Sequence, residues 1–264
     1  MDQHEIRRQE VLARLDNVTD PELDESVTAL GFIRDIAIDA AGEVDISFRL
    51  PTYWCSANFA YLMADDMRSA VSTLPWVNAV RPLLLEHMYA EAINAGVARG
   101  ASFKEVFGAE ITDDSLEGLR LKFLRKAFQR RQEVVLRALL EAGWTPDAVV
   151  GLNLGELGAL VLQAPEWPAL RLRYVDMRTR LATTPLGVDD PAFLTLEGAQ
   201  LVPERLVAHL QALRTVRLNM EFNGAICRGL LAAREAMAEI TPPSPLPTPS
   251  PRPRDRPALP RPPP

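Results

Sequence analysis

Cysteine is almost missing from this chain: among 264 residues only Cys55 and Cys227 carry a thiol. They lie far apart in sequence, which argues against a disulfide framework and leaves no zinc-type cysteine pair. Aromatic residues are sparse at 6%, too few for a base-stacking surface, and a net charge of −6 also disfavours nucleic acid as a partner. The three histidines, His4, His87 and His209, have no metal-ligand spacing and read as surface or structural residues. No apolar run approaches the roughly 20 residues that span a bilayer. The longest candidate, 148–162, is interrupted by Asn153 and Glu156, so no membrane is expected as a partner. The N-terminus is polar and lacks the apolar core of a signal peptide, so the expected location is cytoplasmic. No phosphate-cradling glycine loop and no Ser-His-Asp signature is evident.

What is present is the composition of a soluble globular protein, 47% hydrophobic and 24% charged. Three regions separate along the chain. In the first, residues 1–87, Ile6, Val11, Leu12, Leu15 and Val18 recur at near-helical spacing until Asp20, Pro21 and Glu22 break the pattern. Ile36 and Ile38, then Val44, Ile46, Phe48 and Leu50, alternate with polar residues around a turn at 39–43, which predicts a hairpin with one buried face. Phe59, Leu62, Met63, Met67, Val71 and Leu74 then mark a helix that Pro75 stops, and a third strand begins near Trp76. The order α-β-β-α-β gives a small open-faced sandwich.

Residues 88–240 read as almost wholly helical, a bundle by pattern. Phe103, Val106 and Phe107 form a short apolar turn, and a helix over 116–142 ends at Gly143 in the manner of a C-cap. Asn153 and Glu156 form a capping box, and a long helix over 203–238 has Pro203 in its first turn. Lys122, Arg125, Lys126, Arg130 and Arg131 form a basic run, read either as a solvated helix face or as a surface for an acidic partner. In residues 241–264 half of the positions are proline, so this third region is expected to be a disordered tail. The fold class is α+β, a sandwich followed by an all-α bundle.

The chemistry concentrates at Cys55, where a strand ends and a helix begins. A thiol there faces unpaired backbone N–H groups and the positive end of the helix dipole, both of which favour the thiolate. The other reading is a small buried hydrophobe beneath the helix. Asp20 and Glu22 serve either as a turn and cap device or as part of a site. Tyr53 and Trp54 either shield the thiol or belong to the core. On the last helix Asn219, Asn223 and Cys227 are four residues apart and share a face. Cys227 is either a small helix-packing residue or a second thiol for the Cys55 site.

Asp20, Pro21 and Glu22, the Leu30 and Gly31 step, and Leu50, Thr52 and Cys55 before a helix form an ordered set. This set resembles the SufT/PaaD-like iron–sulfur cluster assembly domain, which has a DPE segment, an LG step and an L-T-x-x-x-C-P signature. The likeness covers about residues 10–85. It implies that Cys55 is the reactive cysteine and that Asp20 and Glu22 fall on the acidic pair. Pro51 stands where the signature has threonine, with Thr52 offering a hydroxyl one residue later, and Ser56 replaces the proline after the cysteine as a candidate N-cap.

One thiolate and two carboxylates are too few ligands for a closed zinc site or a stable four-thiolate cluster. The expectation is therefore a non-enzymatic accessory factor in iron–sulfur cluster assembly or metalloenzyme maturation. Cys55, Asp20, Glu22 and Thr52 would contact iron or an iron–sulfur cluster transiently. Its partners would be a client metalloenzyme, other assembly proteins or a second copy of the chain. One branch of the family serves bacterial multicomponent oxygenases, which makes such an enzyme a candidate client. The competing reading is an interaction adaptor with a structural Cys55. A cysteine-nucleophile enzyme would need a general base beside Cys55, and no histidine lies near it in sequence.

Overall fold

The computed structural model describes residues 2–108 and 116–240. Its elements are α1 (Gln3–Leu15), β1 (Ile33–Ile38), β2 (Glu43–Arg49), α2 (Ala57–Val71), β3 (Ala79–Leu85), α3 (Ala90–Ala98), α4 (Phe103–Phe107), α5 (Leu116–Glu141), α6 (Pro146–Val150), α7 (Leu154–Ala159), α8 (Trp167–Leu181) and α9 (Pro203–Ile240). The α+β class and the α-β-β-α-β order of the first region are as expected. The proline-rich segment 241–264, expected to be disordered, lies outside the described residues.

The sheet has the order β1-β2-β3. β1 and β2 are antiparallel, joined by a tight hairpin at which Gly42 has φ +79°. A Cβ there would stand 2.4 Å from the Trp76 carbonyl oxygen, so the turn admits only glycine. β2 and β3 are parallel, an arrangement that needs a crossover, and α2 supplies it. Register places Ile36, Ile46 and Pro82 in one row and Ile38, Val44 and Val80 in another, two residues along. Ile36, Val44, Ile46 and Phe48 are buried with Val11 and Leu15 of α1 and Met63, Met67 and Val71 of α2. The third strand starts at Ala79 rather than near Trp76. The backbone turns through Leu74 and Val77 first, while the Trp76 indole N–H donates to Glu10 at 2.6 Å.

Helices α3 and α4 also pack on this first core, through Ile93, Val97 and Phe103. A second core gathers Val135, Leu136 and Leu139 of α5 with Val149, Leu157, Trp167, Tyr174, Phe193, Leu206 and Leu213. At its centre the Tyr174 hydroxyl bridges Gln132 Oε1 at 2.8 Å and the Ala192 carbonyl at 2.7 Å. Gln132 Nε2 in turn donates to the Leu194 carbonyl and to His209 Nε2, each at 2.8 Å. His209 is thus a buried structural residue.

The bundle is less uniformly helical than its pattern suggests. Residues 182–202 form an irregular segment held by isolated bridges, Asn153 to Pro191 and Leu194 to Gln200. Ala192, Phe193 and Leu201 plug the second core from it. The capping box of Asn153 and Glu156 is present, with both reciprocal hydrogen bonds made. Helix α9 contributes buried residues to both cores, Leu206 and Leu213 to the second and Leu231 to the first. At 38 residues it is about 57 Å long.

Candidate functional site

Parallel pairing of β2 with β3 sets Arg49 beside Leu85. The segments that leave the carboxyl ends of these two strands are therefore neighbours, the location where parallel sheets usually bind ligands. From β2 come Thr52, Tyr53, Trp54 and Cys55; from β3 come Glu86, His87 and Met88. The Met88 N–H donates to the Tyr53 carbonyl at 2.9 Å and joins the two segments.

The Cys55 thiol is half-buried, and its Sγ lies 3.1 Å from Thr52 Oγ1 in hydrogen-bond contact. Thr52 thus brings its hydroxyl to the sulfur although its register is one residue off the signature. Ser56 occupies the N-cap position of α2, but its side chain makes no capping bond. Tyr53 and Trp54 do not belong to the core, being 52% and 73% exposed.

His87 is the site residue that sequence spacing missed. The Tyr89 N–H donates to its Nδ1 at 3.1 Å, so Nδ1 is the acceptor and Nε2 carries the proton. Nε2 lies 2.8 Å from the Cys55 carbonyl oxygen and donates to it. Burial first, with the nearby Arg234 charge, pushes the imidazole below its usual range despite this bond, which keeps it neutral. It holds the backbone of Cys55 and makes no bond to the thiol. The legible signal was topological: a residue just past β3 belongs beside one just past its parallel neighbour β2.

Asp20 organises the DPE segment. Its Oδ1 accepts the N–H groups of Glu22 and Leu23 at 2.9 and 3.0 Å, and its own N–H donates to the Glu25 carbonyl at 2.9 Å. The turn device is therefore real, and it is buried. Burial, together with the charges of Glu22 and Glu25, raises the Asp20 carboxyl to about 6 against its two backbone bonds. Asp24 adopts φ 52° and binds the Arg131 guanidinium, with Nε at 2.8 Å, while Arg130 lies 3.8 Å from the same carboxylate. Part of the basic run of α5 thus meets an acidic partner within its own chain.

The second half of α9 lies against this face. Asn223 Nδ2 donates to Glu22 Oε1 at 3.2 Å, and Arg228 binds Glu25 at 2.7 Å. Leu231 is buried in the first core, 3.8 Å from where a Cβ on Gly31 would stand. Gly31 itself has φ +72°, the conformation that the LG step requires of it. Arg234 donates to the Leu50 carbonyl at 2.8 Å and to the Glu86 carbonyl at 2.7 Å. Arg34 pairs with Glu235. Cys227 sits among these contacts, half-buried against the first core as Cys55 is. Burial first, then the charges of Asp20, Cys55 and Glu22, pushes its thiol up to about 11.

The fold therefore joins Thr52 to Cys55, sets α9 against Glu22 through Asn223, and packs Cys55 and Cys227 against the same first core, with Asn219 exposed. Among the described residues no three His, Cys, Asp or Glu side chains are arranged to hold a metal ion by themselves. The donors offered are two thiols and two carboxylates, one of which has an oxygen committed to backbone. Among the described residues no helix is long and apolar enough to cross a membrane.

Comparison with known proteins bears on the same region. Over 89 residues, 34% of this chain, it is 29% identical to the uncharacterized protein MJ1129 of Methanocaldococcus jannaschii, covering 92% of that protein. Residues 8–81 match the sequence profile of a family described as iron-sulfur cluster assembly protein, a span that contains Asp20, Glu22, Gly31, Thr52 and Cys55 and stops short of His87 and all of α9. The N-terminal region of the chain accordingly matches the iron–sulfur cluster assembly protein family, and the match does not extend into the helical region.

Proposed function

We propose that the protein is a non-enzymatic accessory factor in iron–sulfur cluster assembly or metalloenzyme maturation, in which Cys55 contacts iron or sulfide in transit. The observation that carries this reading is a half-buried thiol at the carboxyl ends of two parallel strands, within the family match and hydrogen-bonded to Thr52. The Thr52 hydroxyl can donate to sulfur when it carries charge. His87 fixes the loop that presents it, and Asp20 and Glu22 add negative charge on the adjoining face. Open coordination suits cargo that must leave again; a closed four-ligand site would retain it.

The client in this reading is an iron-containing enzyme, with a multicomponent oxygenase as the specific candidate on the strength of the resemblance. Trp54 and Tyr53 offer exposed aromatic surface beside the thiol. On the outer side of α9, Leu218, Phe222, Ile226 and Leu230 are exposed at four-residue steps, apolar surface of the kind protein partners cover. These features support a docking role for the helical region. A cytoplasmic setting, where thiols stay reduced, fits the two free cysteines.

The test is anaerobic reconstitution of wild type and Cys55→Ser with ferrous iron and sulfide, followed by absorbance and metal content. Stoichiometric iron in wild type and its loss in the serine variant are expected. Absence of iron from both would replace this reading with that of an interaction adaptor whose Cys55 is structural.

A further inference from the structure

Helix α9 covers the DPE segment with one side and leaves the other bare. Leu213, Met220 and Leu231 are buried on the inner side. About half a turn round, Leu218, Phe222, Ile226 and Leu230 follow one another at four-residue steps, and Met237 extends the row, with exposures of 44 to 70%. Taking about 200 Å² for a fully exposed side chain of this size, these five present on the order of 500 Å² of apolar surface, the size of patch that marks an interaction site. Two such faces in contact bury about 1,000 Å², the size at which a specific interface begins.

The pattern along that face is complementary to itself. Its larger side chains, Leu218, Phe222 and Ile226, run alongside a row of small ones, Ala225, Gly229 and Ala233, which are also exposed. A Cβ on Gly229 would meet nothing within 4 Å, so this gap lies on the surface of the single chain. An antiparallel second copy, related by a two-fold axis midway between Ala225 and Ile226, sets Phe222 level with Gly229 of the other copy and Leu218 level with its Ala233. Ile226 comes beside its own counterpart at the axis. Bulk meets space at these levels, as ridge-into-groove packing requires, whereas a parallel pairing sets Phe222 on Phe222 and leaves the small residues facing each other. Glu221 and Arg228, seven residues apart on one edge of the face, are each about half exposed. The same two-fold brings Glu221 within about 3 Å, along the helix axis, of the other copy's Arg228. Opposite charges therefore line up twice across the axis.

We propose that the outer face of α9 is a homodimer interface, in which two copies of the chain pair antiparallel about a two-fold axis between Ala225 and Ile226. A closed two-fold pairing uses the same patch on both chains and leaves no free copy of it for further addition. The proposal is independent of whether Cys55 carries iron, and it names the partner for the apolar surface of the helical region. Each chain brings one Cys55 site to the pair, and the two helices that cover the DPE segments lie back to back.

Sedimentation equilibrium of the full chain is the test, with Phe222→Glu and Gly229→Phe as variants. Wild type is expected at twice the mass of one chain. Phe222→Glu removes the central side chain and Gly229→Phe fills the space it enters; each should raise the dissociation constant at least about 30-fold. Because position 229 faces open space in the single chain, Gly229→Phe keeps the fold, which circular dichroism checks. Disulfide trapping reads the orientation: Ile226→Cys should cross-link two copies and Leu218→Cys should not, with wild type giving the background from Cys55 and Cys227. Equal trapping at both positions means parallel pairing and overturns the proposal. A wild type that stays monomeric at about 100 μM overturns it too, leaving the face to another partner, as does a dimer that both variants leave unchanged.

Discussion

His87 donates its Nε2 proton to the carbonyl of Cys55 across 2.8 Å, and so clips the loop after β3 to the loop after β2. The clip works only with a neutral ring, since Tyr89 N–H already occupies Nδ1 as a donor. A buried imidazole with both nitrogens used is a positioning device for the thiol-bearing loop.

Replacing His87 by alanine removes both bonds. The loss should cost about 1–3 kcal/mol of stability, measured by urea unfolding at pH 7.5. The Cys55 loop should loosen as well, so alkylation of Cys55 by iodoacetamide should accelerate. An unchanged rate would mean that Thr52 and the strand ends hold the loop unaided.

The acidic side of the pH profile has two opposing contributions. His87 has its folded pKa held below the unfolded value, so its contribution is present above about pH 6.5 and lost as pH falls through the lowered folded value. Asp20 has its folded pKa raised to about 6, so its contribution is present below the unfolded value and lost as pH rises through 6. Asp20→Asn keeps an oxygen for the two backbone N–H groups and removes the buried charge. It should stabilise the protein at pH 7.5, by on the order of 3 kcal/mol at most. That difference should shrink to nothing below about pH 4, as denaturant midpoints at several pH values would show. If Asp20 also serves the cargo, the more stable variant will take up less iron.

Charge holds much of α9 in place over the site. Arg228 with Glu25, Arg34 with Glu235 and Arg234 with Glu86 are partly exposed pairs, open to screening. Arg234→Ala should raise the alkylation rate of Cys227, and raising salt from 50 mM to 1 M should do so in wild type. Leu231→Ala empties a buried position and should cost about 2–4 kcal/mol, read as earlier unfolding of the first core. Salt-independent alkylation would leave Leu231 as the main anchor.

Gly42→Ala tests the hairpin. Positive φ and a clash with the Trp76 carbonyl oxygen act together at this residue. The substitution should cost about 2 kcal/mol or more, visible as a lowered thermal midpoint.

Local patterns were legible wherever burial follows a period. Val44, Ile46 and Phe48 alternate because one face of β2 lies on the core, and Asn153 with Glu156 forms its capping box within four residues. Thr52 and Cys55 are close in both sequence and space, so the hydroxyl at the sulfur could be anticipated. His87 could not be reached in that way, since it meets Cys55 only after a parallel strand pairing closes over 32 residues. The plug at 182–202 was missed for a related reason. Phe193 and Leu201 are buried by their place against α5 and α9, with no repeating pattern to announce it. Four-residue spacing placed Asn223 and Cys227 on one face, while the identity of Glu22 as the neighbour of that face came from packing.

Helix α9 carries one more consequence. From Pro203 to Cys227 it runs 24 residues, about 36 Å, with its first half seated in the second core. Its second half is tied to the first region through Asn223, Arg228, Leu231 and Arg234, so the helix is a strut between the two cores. Whatever grips the second core, even far from the first, thereby acts on the helix that covers the DPE segment.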